Sequence, residues 1–148
     1  MEDCQKKILL LEQEIENLKE QLTRYRYDHL TGLKMRKDFE NDLHRKVLSG
    51  EDFYLVIFDV NDLHSVNRTK GYQAGDMLLR VVATSLIETC KTTIYRIGGD
   101  EFACMPLDIN FEIDSIQHIE YGISKSSKDK TASEMLKEAD NMIIKKKK

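Results

Sequence analysis

The sequence carries no large excess of either charge: 26 acidic against 23 basic residues give a formal net charge of -3 over 148 residues. That balance argues against a general nucleic-acid binder, whose affinity comes from neutralising phosphates. The local exception is Lys145 to Lys148, a basic run of the kind that usually solvates a helix end. The chain also lacks an apolar run long enough to span a bilayer, and its first residues show no secretory pattern of charged, apolar and small regions. The expectation is a cytoplasmic protein with no nucleic-acid and no membrane partner. Cysteine is scarce, and Cys4, Cys90 and Cys104 are odd in number and lack metal-ligand spacing. That argues against a disulfide framework and against a zinc site. There is no internal repeat. What remains is enough chain for one domain with a real core plus an additional element.

The additional element comes first. Cys4, Ile8, Leu11, Ile15, Leu18, Leu22 and Tyr25 are separated by alternating four and three residues, the seam of a left-handed coiled coil. Ile8, Ile15 and Leu22 at the a positions, with Leu11 and Leu18 at d, favour two parallel strands. In such a pair Lys7 faces Glu12 of the partner and Glu14 faces Lys19, both opposite charges. Residues 1–27 are therefore expected to pair as a parallel homodimer. The competing reading is an amphipathic helix packed on its own domain, because about three heptads are marginal for autonomous pairing.

From residue 28 onward the pattern is that of a mixed domain. Phe39, Leu43 and Val47 recur as one helical face that ends near Ser49-Gly50. Phe53 to Phe58 is a continuous apolar run, expected as a buried central strand ending at Asp59. A short polar segment with Asn61, Asp62, His64 and Asn67 leads to a turn at Lys70-Gly71. Met77, Leu78, Val81, Val82 and Leu86 mark a second helix. Residues 107 to 120 are weakly patterned, Tyr121-Gly122-Ile123-Ser124 has the look of a strand end, and Met135, Leu136, Ala139, Met142 and Ile143 form the apolar face of a last helix. Strands mixed with helices and hairpins imply an α+β fold whose mixed, partly antiparallel sheet is flanked by helices.

The chemistry concentrates at Gly98-Gly99-Asp100-Glu101-Phe102, between the β-prone runs Tyr95-Arg96-Ile97 and Ala103-Cys104-Met105. Paired glycines there predict a hairpin whose turn positions take positive φ and let backbone approach a phosphate. Two carboxylates at the turn have no packing purpose, so they suit a metal held by oxygen ligands, although a solvated hairpin has the same sequence. Asp59 emerges from the central strand. It either caps the following helix or joins Asp100 at one edge of the sheet to clamp a triphosphate through Mg²⁺.

These segments together resemble the diguanylate cyclase (GGDEF) family, from Asp28 to about Lys147. Asp28-His29-Leu30-Thr31-Gly32-Leu33 resembles its opening motif and Phe58-Asp59-Val60-Asn61 its first metal strand. Asn67, Gly71, Gly75 and Asp76 fall at the spacing of its guanine segment, and Arg96 to Phe102 resembles the signature itself. Tyr121-Gly122-Ile123-Ser124 and Ala139-Asp140 are similar to its late strand and last helix. The resemblance implies a palm-like fold over residues 28–148 and the joining of two GTP molecules into cyclic di-GMP. It also implies Mg²⁺, or Mn²⁺, held by Asp59, the Val60 carbonyl and Asp100, with Asp100 or Glu101 deprotonating the attacking 3′-hydroxyl. Asn67 and Asp76 would read the guanine edge, favouring GTP over ATP, and Gly98 and Gly99 would lie against the phosphates. Making a two-fold symmetric product needs two such sites face to face, which gives the heptads a catalytic purpose.

Departures from the family pattern bear on turnover. His64 replaces a phosphate-binding lysine, Arg68 an aspartate and Tyr72 a histidine. Arg68 either supplies the missing charge or pairs with Asp62. The usual terminal Gly-Arg-Asn has no counterpart, leaving Lys147 as the aligned cation. Thr89-Cys90-Lys91-Thr92 stands where the family's inhibitory product site has Arg-x-x-Asp, so feedback inhibition there is not expected. The stretch from Met105 to Tyr121 is too short for the family's usual helix, so part of one sheet face needs another cover. These departures leave a second expectation open: a domain that binds GTP or a partner without turnover.

Overall fold

The computed structural model describes the backbone of residues 1–147 and side chains through Ile143. Lys147, named above as the aligned cation, has its side chain outside the described residues.

Helix α1, Glu2–Arg26, buries none of its residues. At about 1.5 Å per residue it is roughly 37 Å long. Its seam is open to solvent from Ile8 to Tyr25, with Ile15 and Leu18 half exposed. The helix therefore does not pack on its own domain, and the stripe that would do so stays uncovered in a single chain.

Tyr27 bridges to Lys34, and Asp28 then starts a tight loop closed by its own N–H donating to the Leu33 carbonyl at 2.7 Å. The order that follows is β1 (Lys34–Met35), α2 (Arg36–Ser49), β2 (Tyr54–Val60), α3 (Leu63–Lys70), α4 (Tyr72–Cys90), β3 (Ile94–Arg96), β4 (Glu101–Cys104), β5 (Ile119–Lys125) and α5 (Ala132–Lys147). The five strands form one sheet in the order β1-β3-β4-β2-β5. Only β1 with β3 is parallel; β3 with β4, β4 with β2 and β2 with β5 are antiparallel.

The continuous apolar run in β2 is explained by two cores. Val56, Phe58 and Val60 point to the side of α4, with Phe102, Leu79, Val82 and Leu86. Leu55 and Ile57 point to α2 and α5, with Phe39, Leu43, Met135 and Ala139. A strand covered on both faces has no polar alternation to display. Helix α2 ends where expected, with Gly50 in the left-handed conformation at φ 72°. Helix α5 lies so close to β5 that a Cβ on Gly122 would come within 1.9 Å of the Ala139 carbonyl.

Four expectations are corrected. The polar stretch after β2 is helix α3, whose apolar content is too thin to announce it, and Asp62 rather than Asp59 stands at its N-cap. Asp59 lies within β2, which continues to Val60. On α4 the buried face is Leu79, Val82, Ala83, Leu86 and Cys90, while Met77 and Val81 are exposed. Gly98 and Gly99 do not take left-handed φ values; the glycines that do are Gly32, Gly50 and Gly71.

Between β4 and β5 there is only a short 3₁₀ turn, Ile113–Ser115, in keeping with the shortened segment. Phe111, Ile113 and Ile116 pack there against the α4-side core alongside Ile119, Tyr121 and Ile123 of β5. The loop, and not α1, covers that part of the sheet.

Candidate active site

The antiparallel pairing of β2 with β4 sets Asp59 directly opposite Glu101. The Val60 N–H donates to the Asp100 carbonyl at 2.8 Å, tying the end of β2 to the turn of the hairpin. Asp59, Val60, Asp100 and Glu101 therefore share one edge of the sheet, as the sequence expectation required. Gly98 and Gly99 form the adjoining turn. A Cβ on Gly99 would meet no atom of the chain within 4 Å, so the absence of a side chain there leaves open backbone on the surface.

The electrostatics of this edge are those of crowded acids. Partial burial raises the Glu101 carboxyl above its ordinary range, and the charges of Asp100, Asp140 and Asp59 add to it, with Arg36 opposing. Partial burial also raises Asp140, with Arg36 opposing and Asp59 adding. Asp140, on α5, and Arg36, at the start of α2, were given no role from the sequence. Asp140 was visible as part of a motif; Arg36 reaches the site only through the packing of α2, where its guanidinium donates to the Ile97 carbonyl at 3.5 Å and pairs with Glu40.

A divalent cation would relieve this crowding. Among the described residues no three acidic, histidine or cysteine side chains converge as a metal cage. Two carboxylates and a carbonyl, completed by substrate phosphate and water, are the donor set that Mg²⁺ typically uses, so the residues fit that ion better than one needing an all-protein cage.

The hairpin is held from behind. Arg96 pairs with Asp28, its Nη1 lying 2.8 and 2.9 Å from the two carboxylate oxygens, and its Nη2 donates to the Gly99 carbonyl at 2.8 Å. Burial works against the Asp28 charge, but the Thr31 hydroxyl and N–H and the Arg96 guanidinium together hold its carboxyl below the usual range. One arginine thus joins the loop at the exit of α1 to the glycine turn.

Helices α3 and α4 form the other wall, leading on from the end of β2. The half-buried Asn67 lays its side chain over Gly75, where a Cβ would fall 1.7 Å from the amide oxygen. Asp76 is exposed on the next position of α4. Because the displaced atom is the end of a flexible side chain, Gly75→Ala is expected to change thermal stability little. It should nonetheless push Asn67 aside, and on the expectation that Asn67 reads guanine it should weaken discrimination of GTP from ATP about tenfold, as loss of one buried hydrogen-bonding group does. Competition binding with the two nucleotides measures this, and unchanged selectivity would count against Asn67. His64 and Tyr72 are both exposed, and neither is drawn onto the acidic edge by any contact among the described residues. Arg68 is exposed as well and forms no ion pair with Asp62, so of its two readings the pairing with Asp62 is not found among the described residues.

A mixed sheet with an acidic glycine hairpin beside its central strand defines a palm-like α+β domain. A solved structure of the coiled coil and GGDEF domain of DgcB from Caulobacter crescentus, in complex with c-di-GMP, superposes with a TM-score of 0.83 over 96% of this chain and 91% of that one, at 20% identity. The chain belongs to the GGDEF family: the family model described as diguanylate cyclase, GGDEF domain, matches residues 25–118. Among curated relatives, diguanylate cyclase VdcA of Vibrio cholerae is 34% identical over 96 residues, 61% of this chain and 28% of that protein. The probable diguanylate cyclase DgcI of Escherichia coli is 33% identical over 138 residues, 82% of this chain and 31% of that protein. The chain thus spans under a third of the length of these relatives.

Proposed function

We propose that this chain is a diguanylate cyclase that condenses two GTP molecules to cyclic di-GMP and pyrophosphate across a homodimer. The observation that carries the reading is the meeting of Asp59 with Glu101 and of Val60 with Asp100 at one sheet edge, beside an open glycine turn.

In this reading Asn67 and Asp76 orient the guanine, since oxygen acceptors pair with its N1 and N2 donors and not with adenine in the same way. The backbone N–H of Gly99 lies against the phosphates, while that of Gly98, expected from the sequence to do the same, donates to the Glu101 carbonyl at 3.3 Å. Asp59, Asp100 and the Val60 carbonyl would hold Mg²⁺ or Mn²⁺, which when bound offsets negative charge on the phosphates. Asp100 or Glu101 takes the proton of the attacking 3′-hydroxyl. Residues 1–27 pair as a parallel coiled coil and bring two catalytic domains, residues 28–148, face to face. A cytoplasmic site of action belongs to the same proposal; no helix among the described residues is long and apolar enough to cross a membrane.

Incubation of the pure chain with GTP and Mg²⁺ or Mn²⁺ should give cyclic di-GMP by mass spectrometry. GTP binding without product would instead favour a binding or scaffold module. That second reading is favoured by the exposure of His64 and Tyr72 at positions where the family carries a lysine and a histidine. The dimer requirement has its own test. Ile15→Asp places a charge in the open seam of α1, and it should convert the chain to a monomer by sedimentation and lower turnover about a hundredfold through lost proximity. A wild-type chain that sediments as a monomer at micromolar concentration would remove the coiled-coil claim.

A further inference from the structure

Away from the acidic edge, a cavity of about 650 Å³ opens between the C-terminal end of α4 and the loop after β4. Thr89, Cys90, Lys91, Pro106, Leu107 and Phe111 are among its lining residues. Cys90 is the last residue of α4 and Cys104 the last of β4. Both belong to the α4-side core, where Cys104 is fully buried and Cys90 retains 6% of its surface. Neither has any role in the proposed nucleotide chemistry.

The geometry points to Cys90 and Cys104 as a thiol pair that a small-molecule disulfide entering this cavity converts to an intrachain disulfide. The two side chains are hydrogen-bonded to each other, with Cys104 as donor. This bond lowers the Cys90 thiol from its usual value against the opposing effect of burial. The same bond, with burial, raises Cys104. The pair is divided by position as well: Cys90 lines the cavity and keeps some exposed surface, while Cys104 lies fully buried behind it. The attacking species in such exchange is the thiolate, so Cys90 is the entry point.

The chemistry closes in two exchanges. The Cys90 thiolate attacks one sulfur of the external disulfide, forming a mixed disulfide and releasing one small thiolate. Cys104, deprotonated by that departing thiolate, then attacks the Cys90 sulfur, forming the Cys90–Cys104 bond and releasing the second small thiolate, which takes back from solvent the proton that Cys90 gave up on ionising. Two protein thiols are oxidised by two electrons and one external disulfide is reduced to two thiols. Fully buried Cys104 is reached by Cys90 and not by the reagent.

The exposed Cys4 on α1 would form crosslinks of its own, so the test uses the full chain carrying Cys4→Ser, which leaves Cys90 and Cys104 as its thiols. Folded protein is treated with hydroxyethyl disulfide, quenched in acid and mapped by mass spectrometry. The expected product has lost two hydrogens and yields a peptide joining Cys90 to Cys104, with circular dichroism unchanged. Adding Cys104→Ala should instead trap the reagent on Cys90. Three results would overturn the inference: both thiols surviving in the folded chain, oxidation only once denaturant unfolds it, or a mixed disulfide persisting at Cys90 while Cys104 is present. The first experiment needs no change in the core, so a misfolded alanine variant does not blunt it.

Discussion

Asp59→Asn and Asp100→Asn should each lower cyclic di-GMP production by about a thousandfold or more, the consequence of losing several kcal/mol of charge stabilisation on the phosphates. Asparagine keeps the size of the side chain and removes only the charge, so circular dichroism should remain that of the parent. A second measurement separates loss of a functional charge from loss of structure. Partial burial is the leading cause of the raised Glu101 carboxyl, followed by Asp100, with Asp59 contributing less. Removing either aspartate should therefore move Glu101 down toward its ordinary value without reaching it, and further in Asp100→Asn than in Asp59→Asn. Carboxyl titration followed by NMR reads this directly. Full turnover in either variant would overturn the assignment of the acidic edge, and an unmoved Glu101 would show that the charges do not share one site.

The second large effect concerns stability. Arg96 and Asp28 keep only 16% and 15% of their side-chain surface, so the pair sits largely out of water. Truncating one member leaves the other charge buried without a partner, a loss of about 3–5 kcal/mol. Arg96→Ala should therefore unfold at markedly lower urea concentration. It should also speed amide exchange at Gly98 and Gly99, because the bond to the Gly99 carbonyl goes with it. The pH dependence has a definite sign. The folded Asp28 carboxyl is held below its ordinary value of 3.8, so its contribution is fully present above that value and is lost as the pH falls through the lower folded one. Wild type should exceed Asp28→Asn in stability by a constant margin near neutrality, and the margin should close in acid below about pH 3.8. A margin that persists in acid would assign the effect to packing.

The site was legible in the sequence where its residues are contiguous. Asp100 and Glu101 announce themselves because two carboxylates at a glycine turn have no packing purpose, and Asp59 because it interrupts an apolar run. Asn67 and Asp76 came only from the family resemblance, and the contact over Gly75 gives a physical reason for the glycine between them. Arg36 carried no signal, being one more charge on a charged helix. Helix α3 was missed for a related reason. Its eight residues hold two apolar side chains, Leu63 and Val66, which sit on one face but are too few to establish a period.

By itself the sequence determined the class of fold, the heptad seam, the hairpin and the acidic identity of the site, since each depends on local pattern: a period, a turn residue, a carboxylate out of place. Only the tertiary structure decided that β4 lies directly beside β2, that α1 buries none of its residues against its own chain, and that Arg96 binds the helix exit to the glycine turn. Those features depend on contacts between residues dozens of positions apart, and chain spacing does not encode which strands become neighbours. The same holds for Cys90 and Cys104, whose number and spacing argued against both a disulfide framework and a zinc site, and which the fold places in one core beside a cavity.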